Sequence, residues 1–201
     1  MTVDFSLAGS IEESYCEADV IRAHARVQLA GRAQRDASND VQRRFAYVEM
    51  ARALRQLYKA QPNKFQLTGG SITTALAAMT RLGMLDLDTQ HDQWPAHADY
   101  GVTHVMLVAF SELGEECLDL ALFNAARDAV RDKQAENPTG IPAYKLQTTD
   151  GWLITPDEIT AALGAYRTAL GDGAEQPRLF WWPFWIAFLE RASKYIGVRV
   201  G

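Results

Sequence analysis

Tyr144-Lys-Leu-Gln-Thr-Thr149-Asp150-Gly151-Trp152-Leu-Ile154-Thr155-Pro-Asp-Glu158 is the stretch that decides the fold class. Two runs with strand-type side chains, Tyr144 to Thr149 and Trp152 to Ile154, flank Asp150-Gly151, a pair suited to the positive φ angles of a type I′ turn. The spacing predicts a two-stranded antiparallel hairpin. Thr155 follows at once, with proline at the first helical position and Glu158 three residues on, so each can satisfy an orphan amide of the other's helix turn. A helix is expected from Pro156 to Leu170, stopped at Gly171. A hairpin running into a capped helix points to an α+β fold.

On the N-terminal side, Lys64 to Thr68 reads as extended and Ser71 to Leu82 as a helix with Ile72, Leu76 and Met79 inward and Gly83 as its stop. Asp86 to Tyr100 has no periodicity and reads as a loop. Val105 to Phe110 is a continuous apolar run, either a fully buried strand or the first turns of a helix, whose β-branched residues favour the strand, and Leu113 to Lys133 reads as one long, largely buried helix. Further upstream, Ser10-Ile-Glu-Glu13 has capping-box spacing for a helix from Ile11 to Ala30, carrying Cys16, Val20, Ala23 and Val27 on one face and ending at Gly31. A second helix, Asp40 to Ala60, puts Tyr47, Met50, Leu54, Leu57 and Tyr58 on one face and is ended by Pro62. On the C-terminal side a helix opens at Pro183, and Gly197 to Val200 closes as a strand able to join the hairpin. The expected fold is α+β and mainly helical: an N-terminal helical hairpin, residues 1–62, followed by helices packed on a small antiparallel sheet, residues 63–201, as two units or one compact one.

With 201 residues, 48% hydrophobic and 22% charged, the composition is that of an ordinary globular chain. The formal charge of -5 argues against a general polyanion binder. The charges are segregated, however. Arg22 to Lys64 holds ten Lys or Arg against three acids, and Met84 to Asp132 holds ten acids against Arg127 and Arg131. No run reaches the ~18 apolar residues of a membrane span, and the N-terminus lacks a basic, apolar leader, so a cytoplasmic chain in a bacterial host is expected, with Cys16 and Cys117 as reduced core thiols.

Catalytic constellations are missing. No Ser sits in a Gly-x-Ser-x-Gly context, and His91, His97 and His104, interleaved with Asp92 and Asp99, are spaced by six and seven residues, which matches no zinc template. No cofactor, catalytic residue or metal ligand is assigned on this reading. Glu112, Glu115 and Glu116 are explained by the positive end of a helix dipole.

Two surfaces remain as binding candidates. Phe180, Trp181, Trp182, Phe184, Trp185 and Phe188 occupy more of a helix circumference than one core contact covers; a core-closing C-terminal helix is the first reading of the cluster, and a partner groove or dimer face formed by Trp181, Trp182, Phe184 and Trp185 is the alternative. The outer face of the first hairpin carries Arg22, Arg26, Arg43, Arg44, Arg52 and Arg55, and Arg43, Arg44, Arg52 and Arg55 are the candidates for nucleic-acid contact. The preferred function is a non-enzymatic protein–protein interaction protein. The alternative is a nucleic-acid-binding module, because Gln66 to Asp86 is similar in outline to a winged-helix recognition helix leading into a wing, although Arg81 is that helix's one cation. A weaker alternative is a metal-dependent hydrolase using the loop from His91 to His104.

Phe65-Gln-Leu-Thr-Gly-Gly-Ser71, the helix ending Arg81-Leu-Gly-Met84, Thr149-Asp-Gly-Trp-Leu-Ile-Thr-Pro-Asp-Glu158, Trp185-Ile-Ala-Phe-Leu189 and Gly197-Val-Arg-Val200 together resemble a group of small bacterial and phage proteins without an assigned activity. The resemblance covers residues 65 to 200. It implies a fold and a bacterial or phage origin, with functions of the immunity, counter-defence or assembly type, and it implies no chemistry. Leu67 to Ala78 also lines up with Ile154 to Ala165 at six of twelve positions, which good N-cap chemistry explains without a duplication.

Overall fold

A computed structural model describes residues 2–8, 17–114 and 117–201. The capping box at Ser10 to Glu13, Cys16, Glu115 and Glu116 lie outside the described residues. The fold is α+β, mainly helical over a small four-stranded antiparallel sheet.

Thr2–Ala8 (β1), to which no element was assigned from the sequence, is a central strand. Val3, Phe5 and Leu7 alternate with Thr2 and Asp4, so every second side chain is buried. It pairs antiparallel with Lys64–Thr68 (β2), Phe5 opposite Phe65, and on its other side with the C-terminal strand Gly197–Val200 (β6), Leu7 opposite Val198. The two-residue strand Leu153–Ile154 (β5) completes the order β2-β1-β6-β5. Gly197 has φ +127°, and a Cβ there would lie 2.1 Å from the carbonyl oxygen of Ile154, so only glycine lets β6 approach β5 this closely. Two further strands, Leu85–Asp86 (β3) and Ile141–Pro142 (β4), pair in parallel.

The apolar face of the sheet packs against three helices: Gly69–Arg81 (α3), Pro156–Gly171 (α6) and Trp182–Ala192 (α7). Met79, Ile159, Leu163, Trp182, Trp185 and Leu189 meet the strands in one continuous core. The cap of α6 forms as its sequence specifies: the Thr155 amide donates to Glu158 Oε2 at 2.9 Å and the Glu158 amide to Thr155 Oγ1 at 3.4 Å.

Glu17–Asp36 (α1) and Asp40–Ala60 (α2) form the antiparallel hairpin, closed by Asn39, whose side chain accepts from the Gln42 amide at 2.9 Å. Its seam is lined by the buried Ala23, Ala30, Ala46 and Ala53, small side chains that let the helices approach, together with the larger Leu57. Gly31 lies inside α1, beside Met50, rather than ending it. The hairpin meets the body at the edge strand β2, where Tyr58 stacks on Phe65 with centroids 4.7 Å apart, and at Tyr47, edge-on to Phe180 at 5.4 Å.

Three expectations need correction. Val105 to Phe110 is not a strand: it lies in a helix, His104–Leu113 (α4), whose start is capped by Thr103 and whose end is set by Gly114 at φ +69°. That glycine also splits the long helix expected from Leu113, so Leu118–Asp132 (α5) begins afresh, and Leu118 and Leu122 face outward rather than being buried. Finally, Tyr144 to Thr149 does not pair with Trp152 to Ile154. Gly151 has φ +80°, but no non-glycine residue among those described has positive φ, so Asp150 does not adopt the second left-handed conformation a type I′ turn requires. Ala143–Leu146 instead forms a 3₁₀ turn, with Leu146 in the core and Lys145 bonded to Glu158, while β5 takes β6 as its partner.

Candidate interaction surface

The α7 aromatics carry two readings from the sequence, a core-closing face and a partner face. The structure buries the indoles. Trp181 is 5% exposed, Trp182 0% and Trp185 1%, because α7 turns the stripe of Trp182, Trp185, Phe188, Leu189 and Ala192 into the core, with Trp181 packed just before it. Trp182 Nε1 donates to the Tyr166 hydroxyl at 3.4 Å, and the Trp185 ring lies 5.0 Å from Phe5 and 5.2 Å from Phe65. All three indoles belong to the core; Trp182 and Trp185 are enclosed by it, and Trp181 also lines a second cleft of about 570 Å³ beside Met50, Tyr58 and Phe180. Phe184 differs: it is half-buried, 5.2 Å from Tyr58, and open on one side.

That open side is a cleft of about 540 Å³ between α2, β2 and α7. Tyr58, Phe65, Phe184 and Phe188 form its aromatic floor, and Arg55, Lys59, Lys64 and Arg191 stand around it. No carboxylate lines it. None of the four cations forms an ion pair among the described residues; Arg191 donates to the Pro62 carbonyl. Burial pushes the Tyr58 hydroxyl far above the ordinary phenol range, so it stays neutral at physiological pH. The cleft therefore offers apolar rings under a concentrated positive potential, an arrangement suited to an anion with an apolar body.

The cleft continues onto α2. Successive residues turn by about 100°, which places Val41, Phe45, Val48, Arg52, Arg55 and Lys59 on one strip pointing away from the alanine seam, with Arg44 on its flank. Val41 and Phe45 are 78% and 68% exposed. Arg43 projects from the other side of the helix and pairs with Asp40 at 3.5 Å; Arg52 pairs with Glu49 at 2.7 Å. Of the four arginines singled out in the sequence, Arg44, Arg52 and Arg55 are thus brought to one surface, and Arg43 is not.

Arg55 and Phe184, candidates for different functions, meet in one cleft. Lys59, Lys64 and Arg191 were not singled out. The signal for Lys59 and Lys64 was present, as the end of the basic segment, whereas Arg191 reaches the cleft only through the packing of α7 on β2.

The other candidates do not assemble. His91 packs against Trp94, Tyr144 and Trp152 and bonds the Asp92 carbonyl at 2.6 Å, while His97 stacks on Phe123 at 4.3 Å. No group of three His, Cys, Asp or Glu among the described residues is placed to hold a metal ion. α3, the candidate recognition helix, leads into β3, which pairs in parallel with β4 instead of turning back as an antiparallel wing. No helix among the described residues is long and apolar enough to cross a membrane. No family model, curated protein or solved structure matches the chain, so the surface is read from its own chemistry.

Proposed function

We propose that this is a non-enzymatic protein–protein interaction protein, of the immunity, counter-defence or assembly type, that docks an acidic, apolar segment of a protein partner across α2 and the basic cleft. The observation that carries the reading is the ring of four cations without an acid around an aromatic floor. Arg and Tyr are the residues most enriched among interface hot spots, and a desolvated aromatic floor supplies the area that surface charges alone lack. The cations steer an acidic partner and fix its register, so affinity falls as salt is added.

Nucleic acid is the second reading, favoured by Arg44, Arg52 and Arg55 on one surface and by rings on which a base can stack. It is opposed by the net charge of -5 and by the absence of any Lys or Arg from Leu82 to Ala126. Titrating the protein with a synthetic peptide of alternating acidic and aromatic residues, and separately with single-stranded DNA, tells the two apart. The peptide is expected to bind, weakening at least tenfold in Arg55→Glu/Lys59→Glu with the melting temperature unchanged. Binding of DNA with a steep salt dependence, and none of the peptide, would establish the second reading instead.

A further inference from the structure

α4 is the most apolar helix of the fold, yet none of its described side chains is buried. Val105 is 75% exposed, and Val108 and Phe110 are open as well. The adjoining α5 adds Leu118, 73% exposed, and Leu122. A helix of this composition normally buries a stripe; here Leu107 packs inward against Val102, Leu120 and Phe123, while among the described residues nothing covers Val105 and Val108 on another side of the helix. The surroundings are acidic: Asp99, Glu112 and Asp119 accompany these residues, and no Lys or Arg occurs from Leu82 to Ala126.

α2 presents the converse. Val41, Phe45 and Val48 are exposed beside Arg44, Arg52 and Arg55. Both faces are open in a chain that carries both, so one copy satisfies neither. We infer that they are the two halves of one interface: the basic, apolar strip of α2 in one copy receives the acidic, apolar face of α4 and α5 of a second copy, head to tail. This rests on the docking reading above and names its partner as the chain itself. Because the halves differ, each contact leaves one basic and one acidic face free at the ends, and assembly continues until a ring closes or a filament grows. The opposite charges set orientation and the apolar residues supply the buried area.

Sedimentation velocity on the full chain, over a wide concentration range at low and high salt, tests this. Mass is expected to rise with concentration at low salt and to return to the monomer at high salt. Phe45→Ser/Val48→Ser disables one half and Val105→Ser/Leu118→Ser the other; all four positions are exposed, so melting temperatures should stay near wild type. Each variant alone should be monomeric. Mixed one to one, they retain a single intact pair of halves and should form a heterodimer that grows no further. Continued assembly of Phe45→Ser/Val48→Ser by itself would overturn the head-to-tail arrangement in favour of an α4-to-α4 contact. A wild type that is monomeric throughout would overturn self-association altogether. The acidic aromatic peptide, titrated into that same sample, then separates the two levels: binding leaves the docking reading standing with a foreign partner, and no binding removes both.

Discussion

Lys145 and Glu158 have no solvent exposure, and the ammonium lies 2.8 and 3.0 Å from the two carboxylate oxygens. Lys145 Nζ also donates to the carbonyls of Lys133 at 2.9 Å and Leu153 at 2.7 Å, while Glu158 accepts from the amides of Thr155 and, at 3.3 Å, Ala135. Desolvation lowers the Lys145 pKa from its ordinary value, against the opposing pull of the Glu158 charge. The pair ties together the 3₁₀ turn, β5, α6 and the segment after α5. Breaking such a pair leaves one buried charge uncompensated, so Glu158→Ala should cost about 3–5 kcal/mol, whereas Lys145→Met/Glu158→Met, which removes both charges, should cost clearly less. Urea denaturation of the two variants checks this, and equal losses would mean that packing volume, not charge pairing, holds the site. The cap at Thr155 was legible because its chemistry is local. The ion pair of Glu158 with Lys145 was not, since a lone lysine in a sequence reads as a surface residue until its partner is brought to it.

Among the elements, α7 takes the core-closing role, the first of the two readings of its sequence, whereas α4 departs from the buried run that its sequence suggests. The tryptophan-rich helix is core, and the short helix of Val105, Val108 and Phe110 is surface. Trp182→Ala should therefore lower stability by about 3–5 kcal/mol, while Phe184→Ala should leave the fold near wild type and weaken peptide docking. Thermal melts and a binding titration on both variants decide, and a Trp182→Ala protein as stable as wild type would contradict the core assignment. Apolar spacing revealed both hairpin helices, α3 and α6, although among the described residues only α6 shows the side-chain cap expected from its sequence, and α1 runs past Gly31 to Asp36. It misjudged Val105 to Phe110, where β-branched residues favoured a strand and the Thr103 cap prevailed. It misjudged Tyr144 to Ile154 for a different reason: the turn dipeptide was right for a hairpin in isolation, but β6, arriving from the far end of the chain, competes for the same strand edge.

At the scale of the molecule, the chain closes on itself. β1 lies between β2 and β6, and the backbones of Asp4 and Gly201 exchange two hydrogen bonds of 2.8 Å, so the sheet joins segments 2–8 and 197–201. Val3, Phe5 and Leu7 carried the period-two signal for this strand, but only its neighbours show that it is central. The charge segregation was fully legible, from the ten cations of Arg22 to Lys64 to the acids that follow. What composition does not reveal is that four cations would surround four aromatic rings, because Arg191 and Phe184 come from the opposite end of the sequence. Backbone amide NMR of the labelled protein, titrated with the acidic aromatic peptide at low salt, reads docking at that cleft residue by residue. The expected result is a set of shift changes on α2 from Val41 to Lys59, at Lys64 and Phe65, and on α7 from Phe184 to Arg191, all fading as salt is added. Shift changes confined to other surfaces, such as the loop around His91 and Trp94, or no changes at saturating peptide, would contradict it.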